Sequence, residues 1–235
     1  RLAKLGEAVR RDPDGPAAYA VSVDPSDGGG HCECADCLRI GTVSDRVFTL
    51  ANAVAKAVAA SYPGRVVNLY AYNEHAAVPS IGLEPNVFVM LVPYGLQRTG
   101  LSGDEFIAAW ARKVNRLAIY DYWAITDWSN DLPELPPLRL VDARIKRWKE
   151  CSVEAAMLQS TAAIGAVGPS LYIAAKLLWD PSLDARALLE EFCRDAFGSA
   201  APPMRRMIAR WDEGFLPSDH EIALSFRDAR DALNL

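Results

Sequence analysis

The sequence predicts an α/β fold: about five parallel strands forming part of a (β/α)8 TIM barrel, followed by a helical C-terminal region. Strand-like and helix-like segments alternate up to residue 159, and everything from residue 170 reads as helix. Alternation of this kind implies a mostly parallel sheet with helices outside. The strands are short, apolar and rich in Val, Leu and Ala, as expected when both faces are covered. Two architectures fit this pattern, a barrel and an open doubly wound sheet. No G-x-G-x-x-G or P-loop stands at a strand–helix turn, which disfavours the nucleotide-binding open sheet.

The elements follow in order. LAKLGEAVRRD at the start reads as part of a helix. Residues 18–24 (AYAVSVD) form the first strand, and the Gly-rich loop DPSDGGGHCECADC follows. Ser44 is expected to cap a helix that runs to Tyr62, with Val47, Leu50, Val54 and Val58 on its buried face. Pro63-Gly64 ends it. Residues 66–73 are the second strand and 87–92 the third, with the proline-bearing link between them read as loop. Ser102 caps a helix to Asn115, and 117–123 is the fourth strand. A loop with Pro133, Pro136 and Pro137 leads to a helix over 138–149 and a fifth strand over 153–159. Helices are expected over 170–179, 184–197, 201–213 and 219–233. This places a partial barrel in residues 1–180 and a helical region in 181–235.

Parity in the second strand favours the barrel. Asn68, Tyr70, Tyr72 and Glu74 share one face, and Val67, Leu69 and Ala71 share the other. The aliphatic set suits a helix-covered face, so the polar set faces a barrel interior or cleft. Polarity rising towards the C-terminal end of a strand is where a barrel places its active site. The alternative is a core in which the tyrosine hydroxyls are satisfied.

Composition narrows the function classes. The 235 residues carry 25 Lys plus Arg and 30 Asp plus Glu, a formal net charge of −5. With a pI of about 5.3, the chain is no basic nucleic-acid binder. Apolar residues make up 51%, enough for a packed core, and no apolar run reaches the roughly 18 residues of a spanning helix. HCECADC places Cys32, Cys34 and Cys37 beside His31. Three thiolates can wrap a Zn²⁺, with His31 or a remote ligand as the fourth. One disulfide within the loop, or free thiols, are the other readings.

The run SVDPSDGGGHCECADC, followed by SDRVFTLANAVAKAVAASYPGRVVNLYAY, resembles the bacterial family called domain of unknown function 4838. LEPNVFVMLVPY, IYDYW and GPSLYIAAKLLWDPSLDARALLEEFCRDAFGSAAPPMRR carry the similarity across nearly the whole chain, and the last stretch is similar to the barrel end of the α-glucuronidases. The resemblance implies a glycoside-hydrolase-like barrel in a longer polypeptide, with an extracellular or periplasmic location. Five strands are three short of eight. The chain, starting at Arg1, is therefore expected to be the C-terminal half of a barrel completed by an upstream part of the same polypeptide, and by itself inactive and poorly soluble.

Glycoside hydrolysis needs two carboxyl groups flanking the scissile bond. Glu74 is expected to act as general acid/base and Asp121 as nucleophile or base, with Asp27 positioning substrate. Asp121 can equally be a partner for loop amides, and Asp27 an ordinary turn residue before glycine. Asp24 reads as a strand-end cap. Glu154 stands at the start of its strand, on the stability face, and is set aside. Gln159, at the top of that strand, cannot exchange a proton but can bind a sugar hydroxyl. Tyr70, Tyr72, His75, Tyr120, Trp123 and Trp128 are the expected substrate contacts, aromatic faces suiting the apolar C–H faces of sugars. No cofactor is required, a structural zinc being optional, and carbohydrate is the expected partner. The competing reading is a non-catalytic saccharide-binding or structural barrel fragment.

Overall fold

A computed structural model describes residues 2–93, 96, 99–123, 138–159, 164–212 and 219–234. Helix α1 (Leu2–Arg11) and the single turn α2 (Pro16–Tyr19) lead into β1 (Ala20–Ser22). The short helix α3 (Ala35–Ile40) and the long α4 (Val43–Ser61) follow, then β2 (Val66–Ala71) and β3 (Val87–Leu91). Helix α5 (Gly103–Ala111), β4 (Arg116–Tyr122), α6 (Leu138–Glu150) and β5 (Val153–Gln159) complete the alternating part. Helices α7 (Ile164–Trp179), α8 (Ala185–Phe197), α9 (Ala201–Asp212) and α10 (Asp219–Leu233) form the C-terminal region.

The described strands make one parallel sheet in the order β1-β2-β3-β4-β5. The order never reverses, so the described sheet lacks the switch point of a doubly wound fold. Registers such as Val67↔Val87 and Val89↔Leu117 align the alternation across the strands. Val67, Leu69, Val87, Val89, Leu91, Leu117 and Ile119 therefore share one face, each buried. Helices α4 and α5 supply Phe48, Ala51, Ala55, Val58, Phe106, Ile107 and Trp110 to the buried core. The other face carries Asn68, Tyr70, Phe88, Met90, Arg116 and Tyr120, all half-buried. The polar-aromatic set read from the second strand thus continues across three strands.

Two local corrections have clear causes. Helix α4 is capped by Thr42, two residues before the expected Ser44. The Thr42 hydroxyl accepts from the Asp45 amide at 3.1 Å, and the Asp45 carboxylate accepts from the Thr42 amide at 2.9 Å, closing a capping box. Helix α7 begins at Ile164 and carries Pro169 inside it, where the expected start was 170. A proline there removes one helical hydrogen bond, and the helix continues regardless.

Asp45 is 3% exposed and does more than cap. One oxygen accepts from the amide and hydroxyl of Thr42, at 2.9 and 2.8 Å. The other accepts from the amide and hydroxyl of Ser80, at 2.6 and 2.9 Å. Gly41, with φ 127°, clears the space, since a Cβ there would lie 2.6 Å from the carboxylate. Burial alone would raise this carboxyl; the bonds from Thr42 and Ser80 overcome it and lower its pKa to about 2.

The chain divides into two units, Arg1–Asp121 with Glu150–Leu158 and Tyr122–Lys149 with Gln159–Leu235. In the second, α6 buries Leu138, Val141, Ile145 and Trp148 at helical spacing. Tyr172 and Phe192 join α7 to α8 with ring centroids 5.4 Å apart. Asp228 of α10 is fully buried and takes Arg206 Nη2 at 3.0 Å and Arg210 Nη2 at 2.8 Å from α9. No helix among the described residues is long and apolar enough to cross a membrane.

Two stability predictions follow from these carboxylates. Asp45 has a folded pKa below its unfolded value, so its contribution is full above about pH 4 and lost as pH falls through about 2. Denaturant titration should show wild type losing about 2–3 kcal/mol over that window relative to Asp45→Asn, which lacks the ionisation. Asp228→Ala should cost about 1–3 kcal/mol at neutral pH, because Arg206 and Arg210 lose a buried acceptor while keeping Asp231 and Glu221 beside them.

Candidate functional site

The site is built where β1 and β2 end. Asp24 joins the two strands: one oxygen accepts from the Tyr70 amide at 2.7 Å and the other from the Ser22 hydroxyl. This is the strand-end cap expected of it. Strand β2 stops at Ala71, and the chain enters a 3₁₀ turn over Asn73–His75. Asn73 takes a positive φ of 48°, a conformation Asn tolerates better than most residues. Glu74 accordingly sits on a turn beyond the strand, and its direction is set by that turn rather than by strand alternation.

The turn is held from behind. Trp110 of α5 is fully buried, packs at a tilt against Phe48 with centroids 5.1 Å apart, and donates its indole N–H to the Ala76 carbonyl at 2.9 Å. His75 points inward. It is 5% exposed, its Nδ1 has no hydrogen-bond partner among the described residues, and burial lowers its pKa, with nearby His31 adding to the effect. The expected substrate contact is therefore a neutral, buried histidine at neutral pH.

The Gly-rich loop closes on Glu74 from the front. His31 Nε2 lies 3.5 Å from a Glu74 carboxylate oxygen, both side chains being about one-quarter exposed. Asn73 Nδ2 lies 3.4 Å from Asp27 Oδ1. Gly29 passes so close that a Cβ would lie 2.9 Å from Glu74 Oε1. The structure thus brings together Asp27, His31, Asn73 and Glu74. His31 and Asn73 are the additions: His31 had been read beside the thiols, and Asn73 was hidden by reading the strand through residue 73.

The remaining expected residues scatter more widely. Tyr70 and Tyr120 meet edge to face on the open side of the sheet, centroids 5.6 Å apart. Burial raises the Tyr70 pKa, helped by Asp24 and Tyr120, so its phenol stays a hydrogen-bond donor. Tyr72 follows β2 as the residue before the turn and is half-buried. Asp121 alternates onto the side of Leu117 and Ile119, opposite Tyr120, and is half-buried. Trp123 and Gln159 belong to the second unit, where the Trp123 amide donates to the Gln159 carbonyl at 2.9 Å. Trp123 is 3% exposed, which leaves its ring in the core rather than presented to a ligand. Trp128 lies outside the described residues. Glu154 is held by Arg116, Nε donating at 3.0 and 3.1 Å to its two oxygens, in keeping with a place on the stability face.

The cysteines gather by themselves. The sulfurs of Cys32, Cys34 and Cys37 lie within 4.8 Å of one another, and all three are free thiols. Arg46 of α4 donates to the Cys32 carbonyl and ties the loop down. The Cys37 amide, chiefly, and the neighbouring thiols lower the Cys34 pKa to about 7; hydrogen bonds with Cys34 and Cys32 raise that of Cys37. His31 is turned to Glu74, away from this group.

A family model described as "Domain of unknown function (DUF4838)" matches residues 3–209. The chain belongs to the DUF4838 family. No curated protein matches it. Among solved structures, one described as "Structure of L-ribulose 3-epimerase" is similar at a TM-score of 0.40 and 16% identity, over 88% of this chain and 68% of that one. For this DUF4838 chain the sheet and its site are thus read from its own residues.

The close approach of Gly29 gives a prediction specific to the site. Gly29→Ala meets only the far end of the flexible Glu74 side chain. Its thermal stability should stay within about 0.5 kcal/mol of wild type, while a crystal structure should show the Glu74 carboxylate displaced from His31.

Proposed function

We propose that the protein is carbohydrate-active, a glycoside hydrolase of polysaccharide or uronide oligosaccharides. Its sheet is read as an arc of a (β/α)8 barrel, supported by the parallel strands and their unreversed order. The observation that carries the functional reading is Glu74, held at the C-terminal end of the sheet with Asp27, His31 and Asn73 around it. A carboxyl group paired with an imidazole there can hold a proton and release it to a leaving glycosidic oxygen. Asp27 and Asn73 offer acceptors and a donor for sugar hydroxyls. Tyr70 and Tyr120 offer an aromatic wall with a phenolic donor on the same sheet.

The second carboxylate is assigned to Asp121, acting as nucleophile or base. Its placement on the side of Leu117 and Ile119 favours a second reading, saccharide binding without turnover. One experiment separates them. A panel of aryl glycosides and uronide oligosaccharides is assayed with wild type, Glu74→Gln and Asp121→Asn, with calorimetric binding measured in parallel. Hydrolysis reduced about 10²–10⁴-fold in Glu74→Gln supports the acid/base role. Equal hydrolysis by wild type and variants overturns the assignments, and binding without turnover by wild type selects the second reading.

A further inference from the structure

We infer that Cys32, Cys34 and Cys37 form a three-thiolate site for a thiophilic divalent cation of the Zn²⁺ type. The site needs no part of the hydrolase reading, because its residues are separate from Glu74 and Asp27. Three free sulfurs already lie within 4.8 Å of one another. Tetrahedral ligation at a Zn–S distance of about 2.3 Å puts sulfurs roughly 3.8 Å apart, so small side-chain movements close the shell. A disulfide needs sulfurs about 2.0 Å apart and strands the third thiol. Among the described residues no other group of three His, Cys, Asp or Glu side chains gathers in this way.

The backbone supports the cluster. Cys34 precedes α3 and Cys37 lies in its first turn, so the two point to one side of a fixed element. Cys32 arrives along the loop, whose carbonyl is held by Arg46 of α4. Thiolate ligands select Zn²⁺ over hard cations such as Mg²⁺ or Ca²⁺. His31 is engaged with Glu74, so three sulfurs hold the ion and the fourth position belongs to water or an incoming ligand. Binding leaves three thiolates on the ion and one net negative charge on the site, and releases to solvent the protons that the thiols still carry. The consequence is local: the ion ties the end of the Gly-rich loop to the first turn of α3.

The test uses the full chain, reduced and stripped with chelator, then titrated with Zn²⁺ and separately with Co²⁺. The expected result is one metal per chain, a thiolate-to-cobalt charge-transfer band, and proton release on binding. Cys34→Ser should weaken affinity by more than the roughly 10–100-fold lost with an outer-shell partner. The triple serine variant should bind nothing, and His31→Ala should bind as wild type. The cysteines are exposed or half-exposed, and circular dichroism confirms that each variant is folded. Less than about 0.2 metal per chain, retention of metal by the triple variant, or a mapped disulfide in protein that takes up no metal after reduction overturns the site.

Discussion

The buried Asp45 carboxylate is the constraint on which the described first unit turns. Its two oxygens accept four hydrogen bonds from Thr42 and Ser80. Without those bonds a charge at 3% exposure would cost several kcal/mol. With them, one side chain fixes the start of α4 and the loop that returns from the 3₁₀ turn. The rest of that loop is held by the same helix: Asn52 donates to the Gly82 carbonyl and accepts from the Glu84 amide, and Asn86 donates to the Ala55 carbonyl. One helix therefore provides apolar cover for the sheet and polar anchorage for the connection between β2 and β3.

From that anchorage the site follows. Arg46, next to Asp45, holds the Cys32 carbonyl and with it the Gly-rich loop. Trp110 holds the Ala76 carbonyl behind the turn. Glu74 is caught between the two, with Gly29 so close that a Cβ there would push against its carboxylate and His31 at 3.5 Å. Arg46, Trp110 and Gly29 act as supports. They limit where the carboxylate can point, which is what the proposed acid/base role would require.

Much of this was legible in the sequence because periodicity is a strong signal. Val67, Leu69 and Ala71 alternate with Asn68 and Tyr70, and the structure buries the first set and half-exposes the second. The fifth strand and the last helix, expected over 153–159 and 219–233, have those limits. What escaped depends on contacts distant in sequence. Thr42 displaces Ser44 as the cap because Asp45 closes a box with Thr42 and is itself claimed by Ser80, 35 residues away. His75 and Trp123 read as strand-end contacts, yet packing buries both. His31 stood beside three thiols in sequence, but its imidazole reaches Glu74, a pairing no local spacing encodes. The turn at Asn73 hid the same site, because one positive φ ends the alternation on which the Glu74 prediction relied.

The central claim is that the α4 clamp, through Asp45, holds the polypeptide that carries Glu74. Amide hydrogen exchange on wild type and Asp45→Asn, both under conditions where the chain stays folded, tests it most directly. The account predicts that the Ser80 amide and the amides of residues 73–76 lose protection together, while β2 and β3 keep theirs. Unchanged protection at Ser80 and in the turn, with only a uniform loss across the sheet, would contradict it.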